Sequence, residues 1–197
     1  MNITPNFLPA LVFVIVMICW FVFAGVFLLR KKPPSPPDRK REPGSLFGVA
    51  LQGVSYGMVW GVRRPMFTPI VSSRPLAIVA SVLAICAAVG SVWLVTAAIN
   101  TLGKEWSLTA RLVEGHKLAT SGAYAYVRHP IYTGMLGMLV ATGLAMSHWL
   151  ALVAALAVFF VGTRIRVIRE EKLLREAFGA DFEDYARRVR AIVPGVY

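Results

Sequence analysis

An all-α integral membrane protein with about five transmembrane helices is the fold class that three features of the sequence predict. Hydrophobic residues fill 57% of the 197 positions and charged residues only 16%, with a mean hydropathy of +0.63, well outside the balance of a soluble domain. Uncharged runs long enough to cross a hydrocarbon core about 30 Å thick recur along the chain. The basic residues behind the formal charge of +11 gather at the ends of these runs, a pattern of cytoplasmic membrane flanks and not of a nucleic-acid surface.

Residues 8–29, "LPALVFVIVMICWFVFAGVFLL", form the first span. Neither a basic n-region nor a small-residue cleavage site accompanies it, so it reads as a retained helix and not a signal peptide. Residues 30–44, around "KKPPSPPDRKREPG", are proline-rich and charged, which predicts an extended surface linker. Residues 45–62 make a weaker second span that carries Gln52, Ser55 and Tyr56. Gly53, Gly57 and Gly61 share one face of it, and small residues at this spacing predict the close approach of another helix.

Residues 75–102 are the clearest span. After a polar segment, 103–129, come two apolar stretches, 131–146 and 149–163, each roughly 24 Å long at 1.5 Å per residue. Ser147 and His148 separate them, so a tight helical hairpin is predicted, with His148 as a polar residue at its turn. The two cysteines, Cys19 and Cys86, both lie in apolar segments; they read as packing residues and not as a disulfide or a metal site.

Orientation follows from the basic residues. With the N-terminus outside, the cytoplasmic side holds six in the first loop, four between 104 and 128 and eight from 164 onward, against Arg63, Arg64 and Arg74 outside. That asymmetry predicts N-out, C-in topology with five spans. Residues 1–102 then form a three-span N-terminal region, and 103–197 a polar loop, a hairpin and a charged tail that meet at the cytoplasmic edge.

Two clusters at that edge can carry chemistry. The stretch "SGAYAYVRHPIYTG", 121–134, collects Tyr124, Tyr126, Arg128, His129 and Tyr132. Pro130 suits the first turn of a helix, which puts His129 at a helix entrance. Backbone N–H groups and the positive end of the helix dipole there can hold an anion, although tyrosines also sit at membrane interfaces as simple anchors.

The second cluster, "RIRVIREEKLLREAFG", 164–179, continues the fifth span and places Arg166 four residues before Glu170, and Glu171 four before Arg175, hence as neighbours on a helix. Adjacent carboxylates so near a bilayer need partners, either basic side chains or a cationic ligand. No GxGxxG turn, GxxxxGK loop or HExxH helix is present. The three histidines, His116, His129 and His148, lack paired metal-ligand spacing, so no metal is predicted.

From His116 onward, "GHKLATSGAYAYVRHPIYTG", the hairpin, "REEKLLREAFGADFEDYARRV" and a final "VPG" together resemble the isoprenylcysteine carboxyl methyltransferases, in a broad group that includes membrane phospholipid methyltransferases. The resemblance covers the C-terminal two-fifths of the chain; "GKEWS" at 103–107 adds to it, and the first three spans match only in hydrophobic character. It implies an S-adenosylmethionine-dependent methyltransferase core over 103–197, without a soluble Rossmann domain. His116 and Leu118 match an "HxL" element beside the cofactor; Tyr124, His129 and Tyr132 match positions lining its pocket. Glu170 and Glu171 match paired carboxylates, and Arg166 the basic residue before them.

Those residue types suit the cofactor. A glutamate can take the ammonium, N–H groups near His129 the carboxylate, and tyrosines the adenine or the sulfonium. Arg128 or Arg166 can orient an acceptor carboxylate, whereas an amine acceptor needs a base, for which a glutamate is the candidate. In one respect the chain departs from the prenylcysteine enzymes: Arg169 precedes Glu170 where they carry a longer acidic run.

The short chain looks like the smaller, prokaryotic-type members, which places it in a prokaryotic inner membrane with a lipophilic or prenylated substrate drawn from the bilayer. Methylation of a lipid amine, a sterol-reductase-like oxidoreductase and a non-catalytic membrane scaffold remain alternatives.

Overall fold

The apolar runs become helices because, away from water, a helix satisfies every backbone polar group within its own segment. The structure, a computed structural model, describes residues 7–29, 38–103, 106–108, 110–113, 115 and 117–192. These contain α1 (Phe7–Leu28), β1 (Asp38–Arg41), α2 (Ser45–Gly61), α3 (Arg74–Leu102), β2 (Arg111–Val113), α4 (Pro130–Met146), α5 (Trp149–Phe178) and α6 (Ala180–Arg188), with a 3₁₀ turn at Gly122–Ala125. α1, α3 and α5 are long and apolar enough to cross a membrane; α4 is a shorter apolar helix. The chain is thus a helical membrane protein, with outward-facing side chains such as Phe21, Val82 and Val153 that remain exposed on the protein surface.

α3 packs along α4, α2 along α5, and α1 on α3. α1 and α2 stand apart, bridged by rings: Trp20 lies 5.3 Å from Tyr56 and 5.9 Å from Trp60, centroid to centroid. The predicted hairpin is present, with His148 capping α5 through Nδ1, which accepts from the N–H of Leu150 at 3.4 Å. Arg64 closes the C-terminal end of α4 at the same turn: its guanidinium donates to the carbonyls of Leu144, Ala145 and Ser147 at 2.6–2.8 Å. Burial lowers its pKa to about 10, so it stays charged at neutral pH, as a cation on helix-terminal carbonyls should.

The glycine stripe of α2 does not meet a helix. A Cβ at Gly53, Gly57 or Gly61 would touch nothing within 4 Å. The seam against α5 runs instead through Gly48, Gln52, Ser55 and Val59, all buried, and these lie on a different side of the helix. The close approach is Gly48 against Gly162, where a Cβ on Gly48 would sit 2.6 Å from the Gly162 carbonyl oxygen. Gly48→Ala is therefore expected to destabilise the detergent-solubilised protein by about 1–3 kcal/mol, and Gly57→Ala to leave its thermal unfolding unchanged or slightly improved; parallel melts of the two variants check this.

Two further expectations need correction. Cys19 is buried, but Cys86 is exposed, on an outward-facing position of α3. The linker is not wholly extended surface chain: β1 pairs antiparallel with β2, with Asp38 opposite Val113 and Arg41 opposite Arg111. Extended segments leave half their backbone groups unpaired, and each strand supplies the other's partners. Glu42, just after β1, is anchored to α5 by ion pairs of 3.4 Å with Arg169 and with Lys172. Residues 30–37 of that linker lie outside the described residues.

Candidate active site

α5 runs unbroken from its apolar half, Trp149–Thr163, into a charged half that carries Arg166, Glu170 and Glu171. Adjacent residues on a helix point about 100° apart, so Glu170 and Glu171 diverge. His129, at the start of α4, fits between them: Nδ1 is 3.4 Å from Glu170 Oε2 and Nε2 is 3.3 Å from Glu171 Oε1. One ring thus serves both carboxylates. Burial alone would disfavour the imidazolium, but the hydrogen bonds and charges of Glu170 and Glu171 outweigh it and raise the His129 pKa.

The two glutamates have different surroundings. Glu171 turns inward to Arg128, whose Nε and Nη2 donate to its Oε1 at 3.0 and 2.9 Å, and to Arg175 at 3.1 Å. Burial works against its charge, yet His129 and Arg128 hold its carboxyl down to about 2. Because that value lies below the usual 4.5, this carboxylate stabilises the fold above about pH 4.5 and loses that contribution as the pH falls toward 2. Acid unfolding of Glu171→Gln should accordingly be flatter than that of the wild type across this window.

Glu170 faces open space, with 24% of its side chain exposed. The Tyr132 hydroxyl donates to it, and Arg166 Nη2 lies 3.7 Å away. Tyr132 is sandwiched, its ring stacked on His129 at 5.5 Å and covered by the Arg166 guanidinium at 4.6 Å. Arg166 is itself fixed from α2 and the loop: Nη1 donates to Gln52 Oε1 at 3.0 Å and Nη2 to the Leu108 carbonyl at 2.7 Å. Gln52 is held in turn by donating to Thr163 Oγ1 at 2.8 Å. Among the described residues, the buried Arg166 Nε has no hydrogen-bond partner.

These groups border a cavity of ≈ 670 Å³, within the range of small-molecule sites. Leu118, Tyr124, Arg128, His129, Tyr132, Arg166 and Glu170 all line it, whereas Glu171 stands behind the wall. His116 lies outside the described residues, as does the "VPG" segment from Val193. Burial first, then the charge of Glu170, drives the Tyr124 phenol far above its usual pKa, leaving a neutral hydrogen-bond donor. Among the described residues, no group of three or more His, Cys, Asp or Glu side chains is arranged to hold a metal.

Four backbone N–H groups around the helix entrance are already engaged. Those of Arg128 and His129 donate to the carbonyls of Arg190 and Ala191 at 2.8 and 2.9 Å, while those of Tyr132 and Thr133 turn back to the His129 carbonyl. The tail occupies this place because Val127 and Arg190 form a parallel bridge, and Thr133 Oγ1 adds a 2.6 Å bond to the Ile192 carbonyl. Arg128, with Nη1 on the carbonyls of Ala186 and Val189, likewise ties the tail to α5. Two further cations line the cavity beside Arg128: Arg166 from α5 and Arg111 from β2.

Sequence reasoning did not assign Gln52 to the site, although a polar side chain inside an apolar span was the available signal. It also missed the aromatic residues of α1 and α2 that complete the far end of the cavity, among them Trp20, Phe23, Phe27 and Tyr56. In composition these resemble any lipid-facing residues.

Comparison with known proteins supplies a family. The profile of the phospholipid methyltransferase family matches residues 79–181. A probable protein-S-isoprenylcysteine O-methyltransferase of Oryza sativa subsp. indica is 34% identical over 99 residues, 49% of this chain and 52% of that protein. Protein-S-isoprenylcysteine O-methyltransferase B of Arabidopsis thaliana is 35% identical over 101 residues, covering 50% and 51%. The cobalt-zinc-cadmium resistance protein CzcN of Cupriavidus metallidurans is 41% identical over 102 residues, covering 49% and 44%. The chain spans about half the length of the curated relatives it matches.

Proposed function

Because the chain belongs to the phospholipid methyltransferase family, we propose that it transfers a methyl group from S-adenosylmethionine, taken from the cytoplasm, to the carboxylate of an isoprenylcysteine-type thioether taken from the bilayer. One observation carries this reading: the cavity is charged at one end, by His129, Glu170 and Arg166, and apolar at the other, by α1 and α2 side chains. A charged cofactor and a greasy acceptor need that juxtaposition.

The donor set fits the cofactor. Glu170, open to the cavity and braced by His129 and Tyr132, takes an ammonium as a charge-assisted hydrogen bond. Tyr124 donates to a ring nitrogen or ribose hydroxyl, and Leu118 packs on the adenine. When bound, S-adenosylmethionine supplies an electrophilic methyl on a sulfonium; a carboxylate oxygen that gains it becomes an ester as the C–S bond breaks, and no proton has to leave. Arg166 orients that carboxylate, since its buried Nε lacks a partner among the described residues and a guanidinium matches a carboxylate in plane. Arg128 and Glu171 act one layer back by fixing His129. The walls exclude water and hold the two reactants in line, which is most of what such a displacement requires.

The curated relatives named as protein-S-isoprenylcysteine O-methyltransferases support this acceptor class. In the same proposal five helices cross the membrane with the N-terminus outside, supported by eighteen cytoplasmic basic residues against three. Residues 103–197 provide the cofactor core, and the first three helices the chamber for the acceptor's chain, in what we take to be a prokaryotic inner membrane. Titration calorimetry of the purified protein with S-adenosylhomocysteine tests the class: saturable one-to-one binding is expected, and no binding by folded protein refutes it.

A further inference from the structure

The cavity ends in a floor. Ordered along their helices from the charged end, its deepest lining residues are Trp20 on α1, Tyr56 on α2 and Met135 on α4. On α1 the lining runs from Leu28 to Trp20, eight residues or about 12 Å of depth. The three floor residues are locked to one another and to the bundle. Trp20 Nε1 donates to Thr142 Oγ1 at 2.8 Å, the Tyr56 hydroxyl donates to the Met135 carbonyl at 2.7 Å, and the two rings meet edge to face at 5.3 Å. Behind them stand further aromatic rings, Trp60 at 5.9 Å from Trp20 and Phe159 at 6.4 Å from Tyr56.

A floor held by hydrogen bonds differs from an adaptable apolar wall. Aliphatic side chains in such a place re-pack around a longer guest, whereas an indole whose N–H is bonded inside an apolar bundle leaves that donor unsatisfied if it moves. From this we infer that Trp20, braced by Thr142 and Tyr56, sets the length of isoprenoid chain that the acceptor chamber accepts. The inference rests on the methyltransferase reading above. Both Trp20 and Tyr56 precede residue 79, where the family match begins, so the selection belongs to the part of the chain that the family profile does not describe.

The test compares S-farnesyl and S-geranylgeranyl thioether carboxylates as methyl acceptors for wild type, Trp20→Ala and Thr142→Val. Removing the indole deepens the chamber by the volume of its ring. Trp20→Ala is expected to raise the geranylgeranyl-to-farnesyl ratio of kcat/KM by about tenfold or more, the scale on which apolar pockets discriminate, chiefly through KM. Thr142→Val keeps the ring but frees it, and should move the ratio the same way by a smaller factor. This second variant preserves the packing, so it decides the matter if Trp20→Ala does not fold.

A selectivity ratio is insensitive to a general loss of stability, which would lower both activities together. Turnover of both acceptors at an unchanged ratio in the folded variants overturns the inference while leaving the methyltransferase reading intact. Turnover of neither acceptor by wild-type protein that binds S-adenosylhomocysteine overturns the acceptor class, and the length selection with it.

Discussion

Glu170→Gln weakens S-adenosylhomocysteine binding by about ten- to a hundredfold, the effect of losing a charge-assisted hydrogen bond worth about 1.5–3 kcal/mol. The substitution keeps the shape of the side chain and one of its two acceptor oxygens but removes the charge that faces the cavity. His129 stays in place, because its other nitrogen still lies 3.3 Å from Glu171, so the helix entrance does not open. Glu171→Gln, by contrast, acts behind the wall and should change affinity only slightly. Calorimetry on both variants separates the two adjacent glutamates, and a loss of equal size in both would show that they work as one structural unit.

Arg166→Met lowers kcat/KM for a thioether carboxylate by about a hundredfold, since truncating one partner of a desolvated charge pair costs about 2–5 kcal/mol. Arg166 holds three things together: the Gln52 amide oxygen, the Leu108 carbonyl and the face of Tyr132. Methionine replaces the stem that packs beside Gly48 and removes the guanidinium, together with its hydrogen bonds to Gln52 and Leu108. Steady-state kinetics with saturating cofactor checks this: the variant is expected to fail with acceptor while still binding S-adenosylhomocysteine. An unchanged rate would remove Arg166 from the acceptor's site.

How much of this was legible in the sequence depends on whether a feature is local. The apolar runs, the Ser147–His148 turn and the pairing of Arg166 with Glu170 all follow from spacing along one helix, and all are present. Glu170 and Glu171 announced a need for partners, because two neighbouring carboxylates beside a bilayer cannot be left alone. That a single histidine from another helix answers both could not be read, since the distance between α4 and α5 is a tertiary quantity.

The glycine stripe at 53, 57 and 61 shows the same limit from the other side. Periodicity states which residues share a face but not which face meets a neighbour, and here Gly48 and Gly162 made the contact. Part of the donor set at the α4 entrance is taken up by residues 190–192, some sixty positions downstream, whose carbonyls reach Arg128, His129 and Thr133. Arg128 is at once a cavity wall and a structural tie, and a second cavity-lining cation, Arg166, is supported from α2 by Gln52.

In the proposed reaction, one cavity brings a cytoplasmic methyl donor to a carboxylate on a bilayer-borne chain. Its most direct test is to incubate the purified protein, in lipid nanodiscs, with methyl-labelled S-adenosylmethionine and an S-farnesyl thioether carboxylate, with phosphatidylethanolamine as the parallel acceptor. Label is expected in the thioether as a methyl ester, released by mild alkali as methanol, and dependent on Arg166. Label that enters the amine lipid in alkali-stable form, with none in the thioether, would contradict that reaction.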